Sequence, residues 1–135
     1  MKEIYHADLI GNEDVVTEIV ADLKDAMDAA FIAPHVNQQV QLACEEALTN
    51  IFLHGYAGEG WLSVSCVADN RGVTLILSDK ARAYDPTLTK DPDIDQKLED
   101  RPIGGLGIHL IREMMDEFTY QRSDDKNIIT MVKRE

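Results

Sequence analysis

Apolar residues recur along this chain in two periods, helical and alternating, and the changes between them divide it into segments. Residues 4–10 carry Ile4, Tyr5, Leu9 and Ile10 among polar positions and stop at Gly11-Asn12, which predicts a strand. Val15, Ile19, Leu23 and Met27, with Val16, Val20 and Ala30, then keep helical spacing, and Asn12 or Asp14 can cap that helix. Pro34 breaks the pattern after Ala33. A central helix is predicted from about residue 36 to about residue 54, with Gly55 as its C-terminal stop. Residues 61–68 alternate, placing Leu62, Val64 and Cys66 opposite Ser63 and Ser65. Asp69-Asn70-Arg71-Gly72 is turn chemistry, and Val73, Leu75 and Leu77 resume the alternation, so a hairpin delivers the chain to Asp79. Between Tyr84-Asp85-Pro86 and Pro102 the apolar pattern disappears, leaving a polar connection that is either a lid over a ligand or a surface excursion. Gly104-Gly105-Leu106-Gly107 opens a helix with Ile108, Ile111, Met114 and Met115 on its buried side. Residues 118–122 and 127–133, joined by Ser123-Asp124-Asp125-Lys126, predict a closing hairpin.

With 135 residues and 44% hydrophobic content, the pattern fits one domain over residues 1–135 with a single core. Charge narrows the partners. A net charge of −12, from 25 acidic against 13 basic residues, lacks the basic footprint that nucleic acid or an anionic membrane requires, which leaves protein partners. Cys44 falls in the central helix and Cys66 in a strand, neither in a CxxC or Cys/His cluster, so both are expected to be buried, reduced thiols. Neither a signal-like apolar run at Met1-Lys2-Glu3-Ile4-Tyr5-His6 nor a membrane-length apolar segment occurs, and a cytoplasmic protein is expected.

Three stretches carry chemistry. In EALTNIFLHGY, residues 46–56, Glu46, Asn50 and His54 advance only about 40° per step around a helix and point into one cavity, while Val40, Cys44, Ala47, Leu48 and Ile51 bury the other side. An Asn oxygen suits Mg²⁺, and a carboxylate one turn earlier can deprotonate a hydroxyl or water. Glu45, about 100° away, is the lesser candidate. Glycines at 104, 105 and 107 allow backbone N–H groups to approach a phosphate at a helix N-terminus, although neither a Walker loop nor a GxGxxG pattern is present. Asp79, ending an apolar strand, can accept a hydrogen bond from an exocyclic amine. Taken singly, each also reads plainly: an exposed helix face, a turn, a strand-terminating aspartate.

In this order and spacing, ExxxNxxxHGY, the strand-end Asp79 with its downstream YDP, and GGLGIHLIREMMD resemble the histidine-kinase-like (GHKL) ATPase superfamily. Within it they resemble the small anti-sigma-factor serine/threonine kinases of bacterial partner switching, over about residues 5–133. The resemblance implies a histidine-kinase-like ATPase (Bergerat) fold: an α/β (α+β) two-layer sandwich of one mixed, mostly antiparallel sheet covered by helices. It implies ATP and Mg²⁺ as cofactors, with Asn50 holding the metal and Glu46 as base toward a serine hydroxyl. Asp79 would read the adenine amine, Ala81 would lie beside the base, and Gly104, Gly105, Leu106 and Gly107 would line the phosphate side. For His54, in the HGY element, a role in packing and hydrogen bonding at the helix end is expected. The implied partners are a small anti-anti-sigma (STAS-like) protein as substrate, a sigma factor as a second client, and a second copy in a homodimer. Two departures stand out. Asp79-Lys80-Ala81-Arg82-Ala83 has alanine where the family usually has glycine, and Ile128 replaces a threonine that many relatives place near the adenine. Ala81 keeps open a non-catalytic binding module of the same fold, and Glu46, which can equally orient water, a subunit that hydrolyses ATP without phosphorylating protein.

Overall fold

Alternation sets Leu62, Val64 and Cys66 of one strand and Val73, Leu75 and Leu77 of the next on a single sheet face, and the core forms there. The computed structural model describes residues 1–90 and 105–135. Five strands, β1 (Lys2–Gly11), β2 (Gly60–Ala68), β3 (Gly72–Asp79), β4 (Glu117–Ser123) and β5 (Lys126–Arg134), form one sheet in the order β1-β2-β3-β5-β4. Every pairing among them is antiparallel, so the mostly antiparallel sheet expected holds no parallel pair among the described residues. Three helices, α1 (Val16–Ala29), α2 (Pro34–Asn50) and α3 (Gly105–Met114), contribute their apolar sides to the same core. Val16, Ile19, Leu23 and Met27 do so from α1, Val36, Val40, Cys44 and Leu48 from α2, and Ile108 and Ile111 from α3. Burial of each such aliphatic side chain contributes roughly 1.5–3 kcal/mol.

Asn12 provides the first cap: its side chain accepts from the Asp14 N–H at 2.9 Å and opens a single 3₁₀ turn, Glu13–Val15, that runs into α1. Pro34 does not separate two elements. It is the first residue of α2, where its missing N–H costs nothing, so the helix starts two residues earlier than its apolar pattern suggests. The other end of α2 also differs from expectation. Beyond Asn50 the chain continues as a π-helical turn, Ile51–Tyr56, and stops at Ala57, a non-glycine residue in the left-handed region (φ 52°). Gly55 therefore sits inside the turn, where a Cβ would come within 3.3 Å of the Ala81 Cβ; the glycine serves close approach.

The register positions the site. β3 lies between β2 and β5, and Asp79 at its end pairs with Leu62 on one side and Asn127 on the other. At the opposite end of β3, Gly72 (φ 155°) backs onto the Lys133 carbonyl, where no Cβ would fit.

Candidate active site

Helical spacing brings Glu46, Asn50 and His54 to one small cleft, whose other walls are Thr49, Gly107 and Ile108. The half-buried Glu46 faces the first turn of α3 so closely that a Cβ on Gly107 would lie 2.6 Å from Oε2. Burial pushes the Glu46 carboxyl above its ordinary value, and the neighbouring Glu45 charge adds to this. Glu45 itself is exposed. His54, within the π-helical turn, stands exposed at the rim and not packed against the helix end as expected. Gly105 and Leu106 open α3, while Gly104 and the polar connection read as lid or excursion, from residue 91 on, lie outside the described residues.

A second cavity adjoins the first. Asn50, Ile51, Gly55, Asp79, Ala81, Arg82, Tyr84, Pro86, Asn127 and Ile129 enclose it, so Asn50 borders both spaces. Asp79 is buried (3% exposed), and its Oδ1 accepts from the Ala81 N–H and from Asn127 Nδ2, each at 2.9 Å. Burial raises its carboxyl above the usual range; those two hydrogen bonds and the Arg122 charge oppose the rise. The cavity holds about 20 Å³, room for water and not for an aromatic base. Asp85 does not face the cavity; its side chain caps the 3₁₀ turn Pro86–Leu88, whose Thr87 carbonyl accepts from Arg112 of α3 at 2.7 Å.

Two residues at this end were not singled out from the sequence. Asn127, 5% exposed, is tied to the Asp79–Tyr84 segment by four hydrogen bonds and pairs with Asp79 across the sheet. The alternation Asn127, Ile129, Met131 was the available signal, a polar residue heading an inward apolar face. The same alternation turns Ile128 to the other face of β5, so the departure noted there does not line the cavity. Tyr56 is the other: its hydroxyl donates to the Trp61 carbonyl and accepts from the Lys80 N–H, both at 2.6 Å, bracing the turn after Asp79. Gly60 makes this possible, since a Cβ there would enter the Tyr56 ring.

Among the described residues no group of three or more His, Cys, Asp or Glu could hold a metal by itself. A Mg²⁺ at this site would draw on Asn50, phosphate oxygens and water, the mixed shell that ion prefers. Cys44 and Cys66 are free and buried, and burial pushes the Cys66 thiol up to about 12, so neither is a thiolate nucleophile near neutrality. No helix among the described residues is long and apolar enough to cross a membrane.

Residues 11–133 match the histidine kinase-like ATPase domain family. The chain is 34% identical over 92 residues to the serine/threonine-protein kinase BtrW of Bordetella bronchiseptica, a stretch that is 67% of this chain and 65% of that protein. It is 25% identical over 131 residues to the anti-sigma F factor of Clostridium acetobutylicum, covering 91% and 85% of the two. With the serine-protein kinase RsbW of Staphylococcus aureus it shares 28% identity over 98 residues, 67% of this chain and 62% of the other. The chain thus spans a little under two thirds of the length of BtrW and of RsbW. It belongs to the histidine kinase-like ATPase family and, within it, groups with the anti-sigma-factor serine/threonine kinases.

Proposed function

We propose that this protein binds Mg-ATP and phosphorylates a serine or threonine of a small anti-anti-sigma (STAS-like) protein, with a sigma factor as its alternative partner. The observation that carries the reading is the position of Asn50, which borders both the cavity around the buried Asp79 carboxylate and the cleft around Glu46. A nucleotide lying across Asn50 has its base at one end and its transferable phosphate at the other. When bound, Mg-ATP supplies the phosphoryl group and the cation that offsets its charge.

The chain's own residues do the rest. Asp79 accepts the exocyclic amine through Oδ2, because among the described residues its hydrogen bonds end on Oδ1. Asn50 offers its carboxamide oxygen to the cation. Gly105 and Gly107 bring the N-terminal turn of α3 to the phosphate side, where the first-turn N–H groups and the helix dipole favour an anion. Glu46, its carboxyl raised by burial, takes the proton of the substrate hydroxyl at Oε1 or Oε2.

A second reading, a binding module without catalysis, is favoured by one observation: the Ala81 side chain is buried (6% exposed) against Gly55 and the cavity there is small. Incubation with γ-labelled ATP, Mg²⁺ and a STAS-type partner separates the readings. Labelled partner, lost in Glu46→Gln, supports the kinase; bound ATP with no labelled protein supports the module; free phosphate alone supports hydrolysis.

A further inference from the structure

Asn127 is held in one orientation by its surroundings. Its Nδ2 faces three acceptors, Asp79 Oδ1 at 2.9 Å, the Arg82 carbonyl at 3.0 Å and the Ala81 carbonyl at 3.2 Å. Its Oδ1 faces three donors, the Tyr120 hydroxyl at 2.6 Å, Arg122 Nη1 at 3.2 Å and the Tyr84 N–H at 3.3 Å. Only a carboxamide meets both halves: aspartate has no donor, serine and threonine have a single one, and reversing the amide would set like against like at every contact but the Tyr120 hydroxyl, which can also accept. Arg122 also donates to the Ala81 carbonyl at 3.0 Å, so Asn127 and Arg122 together fasten the segment that walls the cavity to the β4–β5 hairpin.

These contacts bear on recognition as well as on folding. The carboxylate of Asp79 can turn about its final bond or take up a proton, and either change alters which oxygen can accept from a ligand. The Asn127 amide and the Ala81 N–H, both on Oδ1, oppose both changes: they fix the plane of the carboxylate and favour its charged form in a buried setting. We propose that Asn127 is a positioning residue for base selection, holding Asp79 so that Oδ2 alone is offered to the 6-amino group of a purine nucleotide. This inference rests on the nucleotide-binding reading above and assigns the preference for an aminopurine to a pair of residues rather than to Asp79 alone.

The test compares ATP with purine riboside 5′-triphosphate, which differs only in lacking the 6-amino group. Calorimetry with Mg²⁺ gives the ratio of the two affinities for the wild type, Asp79→Ala, Asn127→Ala, Asn127→Asp and Tyr120→Phe, each checked for folding by circular dichroism. A hydrogen bond to a charged acceptor makes the expected wild-type ratio roughly tenfold or more, and Asp79→Ala should bring it near unity. Asn127→Ala and Asn127→Asp should bring it to within about threefold of unity, chiefly by weakening ATP. Asn127→Asp keeps the shape without the donors, so a folding defect in one variant leaves the other to decide. Tyr120→Phe removes a partner of the Asn127 oxygen but leaves the donors to Asp79, and its ratio should stay at the wild-type value. A wild-type ratio retained in folded Asn127 variants while Asp79→Ala abolishes it overturns the assignment and leaves ATP binding intact. Equal loss in Tyr120→Phe also overturns it, since general loosening of the hairpin would then be the cause. Absence of ATP binding by the wild type overturns the nucleotide reading itself.

Discussion

Gly107 offers a perturbation whose effects on stability and on activity separate. The Cβ of Gly107→Ala would lie 2.6 Å from Glu46 Oε2, and an ordinary contact begins at 3.4 Å, so the carboxylate must retreat by about 0.8 Å. The atom that gives way is the end of a flexible side chain. Moving it costs on the order of 0.5–1.5 kcal/mol if it leaves a preferred rotamer. Replacing a helical glycine by alanine returns up to about 1 kcal/mol. The net change in folding stability is thus within about 1 kcal/mol, a few degrees in melting temperature. Catalysis fares differently, because a misplacement of about 1 Å in a reacting group can lower the rate roughly 10²-fold. The assay pairs thermal unfolding with labelled-phosphate transfer to a STAS-type partner at saturating ATP, and calorimetry separates any loss of ATP affinity, since Gly107 also lies on the phosphate side, from loss of transfer. Wild-type transfer by a folded Gly107→Ala protein would refute the role given to the Glu46 carboxylate.

Other expectations concern single residues. Since burial raises the Asp79 carboxyl, the folded chain binds more protons than the unfolded one between the unfolded and folded values, and this group's contribution to stability falls as pH rises through that window. Asp79→Asn, which keeps an oxygen acceptor, should therefore raise the melting temperature at pH 7, with the gain shrinking toward pH 4, while ATP affinity falls about tenfold or more; a variant less stable at pH 7 would contradict this. Tyr56→Phe leaves the Trp61 carbonyl and the Lys80 N–H without their partner and should cost about 1–3 kcal/mol in denaturant titrations. Trp61, the chain's single tryptophan, has the Lys80 and Lys126 ammonium groups 5.1 and 5.3 Å from its ring centroid, so its fluorescence should shift in the same variant. Gly72→Ala forces a Cβ onto a backbone carbonyl at positive φ and should lose more than about 2 kcal/mol, a melting shift with no effect on base selectivity.

Local periodicity carried most of the fold. Leu62, Val64 and Cys66 could be assigned to one face, and Val16, Ile19, Leu23 and Met27 to one stripe, because each pattern depends only on neighbours along the chain. The stripe Glu46, Asn50, His54 was legible for the same reason, and all three line one cleft. The π-helical turn was not, because glycine at 55 signals an ending, and only Ala81, far along the chain, shows that it is there for close approach. Asn127 escaped notice on similar grounds: its meaning depends on β5, not β4, lying beside β3, and sheet order is a long-range property. The resemblance drew attention to Ile128, one residue away, which in a strand means the opposite face.

One nucleotide is expected to span Asp79 and Asn50. Calorimetric titration with ATP and with ADP, each with and without Mg²⁺, on the wild type, Asp79→Asn and Asn50→Ala tests it most directly. Mg²⁺-strengthened ATP binding is expected, weakened about tenfold or more by Asp79→Asn, with Asn50→Ala losing the part that depends on the metal. Binding indifferent to both substitutions, or none at millimolar nucleotide, would contradict it.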